Sequence, residues 1–192
     1  CILPVFPFAL TYVKEWEERA SSFWMIRTGV RPYILSKVAV SAFSGFMTVF
    51  IGFSLFICIA RIKLPFYTNT FYDDCYAPLL ESGRPYLYLL MLMTHLGLSG
   101  ALVATAAVWS STFFPSRYLA AAAPVMLYFT ANRITASWNI PKYLKAVNWI
   151  EGTYSAGSPG ATLLFKFLLV TVLCLLMGHG AMSNVERRVL RD

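Results

Sequence analysis

The sequence predicts an all-α, polytopic integral membrane protein, and its composition and charge spacing support this prediction. Hydrophobic residues make up 58% of the 192 residues and charged residues only 13%, whereas a typical soluble chain has about 25% charged residues. Long uncharged runs separate the few charges, and a bilayer core needs roughly 20 apolar helical residues to cross it. This composition therefore excludes an intrinsically disordered chain and a small disulfide-rich domain, and it fits a soluble globular protein poorly.

The uncharged runs predict four full transmembrane helices and the end of a fifth. The full spans are expected at 38–60, 86–114, 118–138 and 163–184. The third is complete only if its helix continues through Arg133, and Lys166 is expected to snorkel outward from the fourth. Residues 1–13 are apolar but too short to cross alone, so they are interpreted as the end of a helix that begins outside this sequence.

Two short interfacial or re-entrant helices are predicted before the last span. An apolar stretch at 134–140 is broken by Pro141, an amphipathic stretch follows at 143–150, and 152–160 turns through Ser, Gly and Pro. Aromatic residues suited to the headgroup region occur here, namely Trp138, Tyr143, Trp149 and Tyr154.

The positions of Lys and Arg predict the orientation in the membrane. Nine basic residues fall in segments on one side of the predicted spans: Lys14, Arg19, Arg27, Arg31, Lys37, Arg117, Arg187, Arg188 and Arg191. Six fall in two loops on the other side: Arg61, Lys63, Arg84, Arg133, Lys142 and Lys145. Basic loops stay in the cytoplasm, so residues 14–37 and the C-terminus are expected there. The net charge of +7 is interpreted as a topology signal, and no nucleic-acid partner is expected.

Polar residues inside the spans give packing and pathway candidates. Small residues share one face of the first full span and predict close helix packing there: Ser41, Gly45, Thr48 and Gly52. A conduit lining is the less favoured interpretation of that face. His95 lies inside the second span, where it either lines a path or bonds to a neighbouring helix. No Cys or His has metal-site spacing, so no metal or cofactor is expected in this chain.

A protease is the weakest alternative. The sequence Gly97-Leu98-Ser99-Gly100 matches the GxSG pattern of rhomboid intramembrane proteases, and His179 supplies a late histidine. Nucleophilic catalysis needs Ser and His within hydrogen-bond reach, but these two are predicted at different depths in the bilayer. A four-residue match is also common in membrane helices rich in Gly and Ser.

The most informative segment is the predicted cytoplasmic stretch at 12–37. It contains a charged helix, four large apolar residues from Phe23 to Ile26 (the apolar knob), a turn at Thr28–Gly29 and a new helix opened by Pro32. A linker with a helix that lies on the membrane surface is one interpretation of this pattern.

The same segment resembles the permease subunits of bacterial ATP-binding-cassette (ABC) transporters of the type-two exporter class. In those chains a Glu/Arg-rich helix end is followed by a knob, a basic turn and a Tyr-(Ile/Leu)-Leu-(Ser/Gly)-Lys sequence that leads into a Ser/Gly-bearing span. The residues in these places are Glu17, Glu18, Arg19, Arg27, Arg31, Tyr33, Lys37, Phe43 and Gly45. The resemblance is strongest over 12–55, and elsewhere it concerns the architecture only.

The resemblance implies a single permease domain over 1–192, in the bacterial plasma membrane, that pairs with a second permease copy or a homologous permease. Its ATPase-coupling loop would contain Glu17, Glu18, Arg19, Phe23, Trp24, Arg27, Arg31 and Lys37. The chain has no phosphate-binding glycine loop, so ATP would be bound by separate cytoplasmic ATPase subunits and the chain would not itself be an enzyme. Peptides, antibiotics, lipids and glycans are the implied substrates. A non-transporting scaffold or sensor subunit is the alternative.

Overall fold

A computed structural model describes residues 3–5, 11–18, 20–63, 75–114, 116–137, 145, 148, 150 and 154–189. The regular structure in these residues is helical, with no strand. After a 3-10 turn at Leu3–Val5, the helices are α1 (Thr11–Glu17), α2 (Ala20–Thr28), α3 (Val30–Lys63), α4 (Ala77–Glu81), α5 (Pro85–Phe113), α6 (Arg117–Ser137) and α7 (Pro159–Val189). Most of the predicted re-entrant helices, much of the predicted partial span at 1–13 and Arg19 lie outside the described residues.

Three of the described helices are long and apolar enough to cross a membrane. They are α3 over Val30–Ile62, α5 and α7, so the predicted all-helical, membrane-embedded class is confirmed at this level. The third predicted span, at 118–138, corresponds to α6, which continues through Pro124 but does not meet the same criterion. Its second half is too polar, since it contains Asn132 and Arg133.

The first span begins earlier than the predicted boundary at 38, because α3 starts directly after a tight turn. Gly29 has a positive φ of 84°, which glycine adopts without steric cost, and its N–H bonds to the Met25 carbonyl at 2.9 Å. Pro32 lies in the first turn of α3, where its missing N–H costs nothing. The predicted turn at Thr28–Gly29 is therefore confirmed, and α3 extends about 50 Å.

The interior of the bundle is formed where α5 packs between α3 and α7. A Cβ added to Gly45 would lie 2.6 Å from the Ala104 Cβ and 2.6 Å from the Gly100 carbonyl oxygen. The two helices therefore approach backbone to backbone, as small residues permit in membranes. On the other side of α5, Leu98 and Leu102 pack with Val170 of α7.

Helix ends from three parts of the chain meet at one end of this bundle. Arg31 at the start of α3 bonds Glu186 of α7, with its Nε 2.6 Å from Oε1. Arg188 donates to the Phe113 carbonyl at 2.7 Å, and the Asn184 amide donates to the Thr112 carbonyl at 2.9 Å. We call this the basic end, formed by residues 11–18, 20–37, 112–114, 116–118 and 184–189, because the described parts of the predicted basic segments lie together there.

Candidate functional site

Helices α1 and α2 form a small unit that covers part of the basic end. We call this unit the cap. Its inner face is apolar: Tyr12 and Met25 are buried in a cluster with residues of α3 and α7, namely Tyr33, Ile34, Ala181 and Val185. Burial of this face fixes the position of α2 relative to the first span.

Charged side chains attach the cap to its surroundings. Glu15 accepts a hydrogen bond from the Tyr33 hydroxyl at 2.5 Å and forms an ion pair with Lys37. Glu17 forms an ion pair with Arg117 at the start of α6. The Arg188 guanidinium of α7 lies 5.4 Å from the centre of the Trp16 ring. The cap is therefore connected to α3, α6 and α7 at the same time.

The outer face of the cap exposes large apolar side chains. Phe23 is 62% exposed, Trp24 44% and Ile26 87%. The Phe23 and Trp24 rings lie edge to face with their centres 5.8 Å apart. The apolar knob is thus divided, because Met25 points into the core while the other three form what we call the cap patch. This surface lies outside the three candidate spans.

Most of the other predicted coupling residues lie at the basic end. Arg27 is exposed on α2, and Glu18 is exposed directly after α1 with its carboxylate 3.9 Å from the Lys14 amine. Arg31 and Lys37 are held by Glu186 and Glu15, as described above. Arg19 lies outside the described residues. The charges thus mainly connect parts of this chain, and the patch itself is apolar.

The predicted small face of α3 is divided between two environments. Ser41 is buried and Gly45 lies against Gly100 of α5. Thr48 is partly exposed and donates to the Ser44 carbonyl in its own helix at 2.7 Å. A Cβ added to Gly52 would meet no atom within 4 Å. Close packing against α5 therefore involves the first half of this face.

His95 of α5 lies in a buried polar cluster towards the opposite end of the bundle. The ring is 2% exposed, and its Nδ1 lies 3.0 Å from the hydroxyl of Tyr76, which immediately precedes α4. Cys75, next to Tyr76, is also buried. Among the residues that the structure describes, no group of three His, Cys, Asp or Glu side chains could hold a metal ion.

Lys166 completes this cluster, and sequence reasoning missed it. Instead of snorkelling outward, its side chain is 1% exposed, and its Nζ lies 2.7 Å from the Ser99 hydroxyl of α5. A further contact joins Nζ to the Ile150 carbonyl at 3.4 Å. Lys166 shares a helix face with Thr162 and Val170, which are buried in the structure, but the sequence alone does not show that this face is buried. We call Cys75, Tyr76, His95, Ser99 and Lys166 the buried polar cluster.

The pair required by the protease alternative does not form. The side-chain partner of Ser99 is Lys166, while His179 is exposed on α7. Thirteen residues separate Lys166 from His179, which is about 20 Å along a helix. His179 is therefore too far from Ser99 to act as its base.

The chain was also compared with known proteins. It matches no protein-family model, and neither a curated protein nor a solved structure matches it. A functional assignment therefore depends on the residues and geometry described above.

Proposed function

We propose that the chain is the membrane-spanning permease subunit of an ABC exporter. In this proposal, separate cytoplasmic ATPase subunits bind and hydrolyse ATP, and a second permease copy or a homologous permease completes the transporter. The supporting observation is the cap patch, in which Phe23, Trp24 and Ile26 are exposed on a helix attached to the basic end.

The cap patch is suited to bind a partner protein whose movement would move the cap. Large exposed aromatic side chains are typical anchors in a partner's pocket. The cap beneath them contacts α3, α6 and α7 through ion pairs and ring contacts. A partner that moves α2 would therefore move three helix ends together, as rigid-body coupling requires.

The proposal includes a topology in the bacterial plasma membrane. The basic end faces the cytoplasm under the positive-inside rule, and α6 forms a fourth span that returns after α5. Helix α6 supports this, since its 21 residues extend about 30 Å. In a cysteine-free background, a cysteine at Ser82 is expected to react with an impermeant thiol reagent from outside, and one at Ser116 is not. The reverse pattern would overturn the orientation.

The coupling role is tested with the separate ATPase subunit that the proposal requires. The double variant Phe23→Ala/Trp24→Ala is expected to insert normally but to capture the ATPase weakly. Truncation of one anchor costs about 2 kcal/mol, so binding should fall at least tenfold. The matched control is Phe56→Ala/Phe167→Ala, which removes two exposed aromatic side chains within the candidate spans.

Two measurements separate the possible results. Affinity is measured by co-purification and titration, and coupling by the ATP hydrolysis that the permease stimulates. Loss of both in the cap variant but not in the control supports a permease. Normal capture and normal stimulated hydrolysis would assign the patch to the membrane surface and remove the main support for the proposal. Capture without any stimulated hydrolysis in the unaltered protein would indicate the scaffold alternative.

A further inference from the structure

The second region of interest is the buried polar cluster, which the coupling role does not use. We propose that Lys166 and Ser99 form a binding site for an anionic group, a carboxylate or a phosphate, on a molecule that enters the bundle. Identification of that molecule as the exported substrate rests on the proposed function, whereas the binding itself does not.

The position of Lys166 makes its charge costly. It lies seven residues after Pro159, the first residue of α7, which is about 10 Å along the helix. Its side chain points into the contact between α5 and α7, where it is buried. Ionisable groups placed in this way within membrane helices are expensive and typically functional.

No carboxylate contacts this ammonium within the described part of the chain. Its hydrogen-bond partners are a hydroxyl and a carbonyl, and the nearby Cys75, Tyr76 and His95 side chains are not carboxylates. The described acidic residues at the basic end are Glu15, Glu17, Glu18 and Glu186, and the remaining one, Glu81, is exposed on α4. A buried cation that no carboxylate pairs with in this part of the chain is costly, and a bound anion would offset that cost.

One of the two hydrogen bonds of Lys166 is weak enough for a ligand to replace it. The Ile150 carbonyl lies 3.4 Å from Nζ, a long and weak hydrogen bond. An anionic oxygen in its place would approach to about 2.8 Å and bind more strongly. The Ser99 hydroxyl accepts from Lys166 and donates to the His95 carbonyl at 3.4 Å, which is also a long hydrogen bond. Rotation of this hydroxyl would let both side chains bind one ligand oxygen.

The same geometry argues for binding rather than covalent chemistry at Ser99. A serine with a lysine in hydrogen-bond reach could act as a nucleophile, but acyl transfer also needs donors for the oxyanion. Ser99 lies in the middle of α5, where backbone N–H groups are already used by the helix. The Lys166–Ser99 pair is therefore interpreted as a site for a charge.

Thermal unfolding of the full chain in a nonionic detergent tests this site. The probes are dodecyl phosphate, chain-matched dodecanol and inorganic phosphate. Dodecyl phosphate is expected to raise the Tm in a saturable manner, and dodecanol is not. A shift with inorganic phosphate as well would indicate that the free anion suffices, whereas a shift with dodecyl phosphate alone would indicate a lipid-like ligand.

Substitutions of Lys166 test whether the anion binds at this side chain. Lys166→Met is expected to weaken the apparent affinity for dodecyl phosphate at least tenfold, and Lys166→Arg to retain most of it. The matched control Arg84→Met removes an exposed cation just before α5 and should bind like the unaltered protein. Equal affinity in Lys166→Met and the unaltered protein would overturn the proposal.

The unaltered protein alone provides a second test of the site, and this test remains valid even if Lys166→Met does not fold. Equal effects of dodecyl phosphate and dodecanol would mean that the ammonium is compensated within the chain, and the site would be rejected. This assay needs no ATPase. Failure of anion binding therefore leaves the capture experiment unaffected, and failure of capture leaves the anion-dependent Tm shift unaffected.

Discussion

The basic end and the buried polar cluster use the same kinds of side chain in opposite ways. At the basic end, Arg31 and Arg117 each face a carboxylate and remain largely in contact with solvent. In the cluster, Lys166 is buried and contacts only neutral groups among the described residues. Exposed ion pairs contribute little to stability. A buried charge within a membrane helix is costly, and such charges typically have a function. Burial of the charged side chain, more than the charge itself, therefore identifies the candidate binding site.

The two regions also differ in how they are packed. The interior is held by backbone contact between α3 and α5, where Gly45 and Gly100 leave no space for a side chain. The basic end is held by long side chains that can change rotamer. Substitutions should therefore have their largest effects on stability in the interior and their smallest among the exposed pairs.

The largest effect is expected for Gly45→Leu. The first added carbon alone would lie 2.6 Å from the Gly100 carbonyl oxygen, and a backbone atom cannot move aside without separating the helices. Overpacking typically costs about 1–3 kcal/mol, and a backbone clash should reach the upper limit. The measurement is the Tm in detergent, together with the yield of folded protein.

A control for this substitution lies two turns further along the same helix. Gly52→Leu makes the same change at a position where an added Cβ meets no atom within 4 Å, so its Tm should stay close to that of the unaltered protein. Equal losses in the two variants would mean that the α3–α5 contact does not determine the result, because the change from Gly to Leu by itself favours a helix.

The sequence was sufficient for the parts of the fold that depend on composition and local chemistry. Uncharged runs predicted α3, α5 and α7 as long apolar helices, and Gly29 with Pro32 predicted the turn before α3. These features are readable because they depend on hydropathy along one helix and on the backbone preferences of two residues. The third predicted span, at 118–138, was less predictable, since α6 combines apolar residues with Asn132 and Arg133.

Features that depend on contacts between helices could not be read in the same way. The Lys166–Ser99 contact joins α7 to α5 across 67 positions of sequence, and no local pattern specifies which faces of two apolar helices meet. The division of the apolar knob likewise depends on the position of α2 against Tyr33 and Ile34. Residue type identified the candidates, but tertiary packing decided which of them are buried.

An intermediate effect is expected where a charged group at the basic end is partly buried. Glu15→Gln removes the charge that Lys37 and the Tyr33 hydroxyl share. Hydrogen bonds to charged groups contribute about 1.5–3 kcal/mol, so the loss should be close to 1.5 kcal/mol because Gln still accepts one bond. Glu18→Gln is the control directly after the same helix, since its exposed carboxylate is 3.9 Å from Lys14. A larger Tm loss in the control would contradict the assigned role of Glu15.

The smallest effect is expected for the exposed pair between the cap and α6. The side chains of Arg117 and Glu17 are 57% and 40% exposed, and such pairs contribute about 0–1 kcal/mol. Arg117→Gln should therefore lower the Tm only slightly at low salt. In about 1 M salt, where the Debye length is about 3 Å, the difference from the unaltered protein should vanish. The double variant with Glu17→Gln should be no less stable than Arg117→Gln alone, because both remove the same interaction. A salt-independent loss as large as that of Gly45→Leu would show that the exposed pairs hold the cap, and the contrast between the two regions would fail.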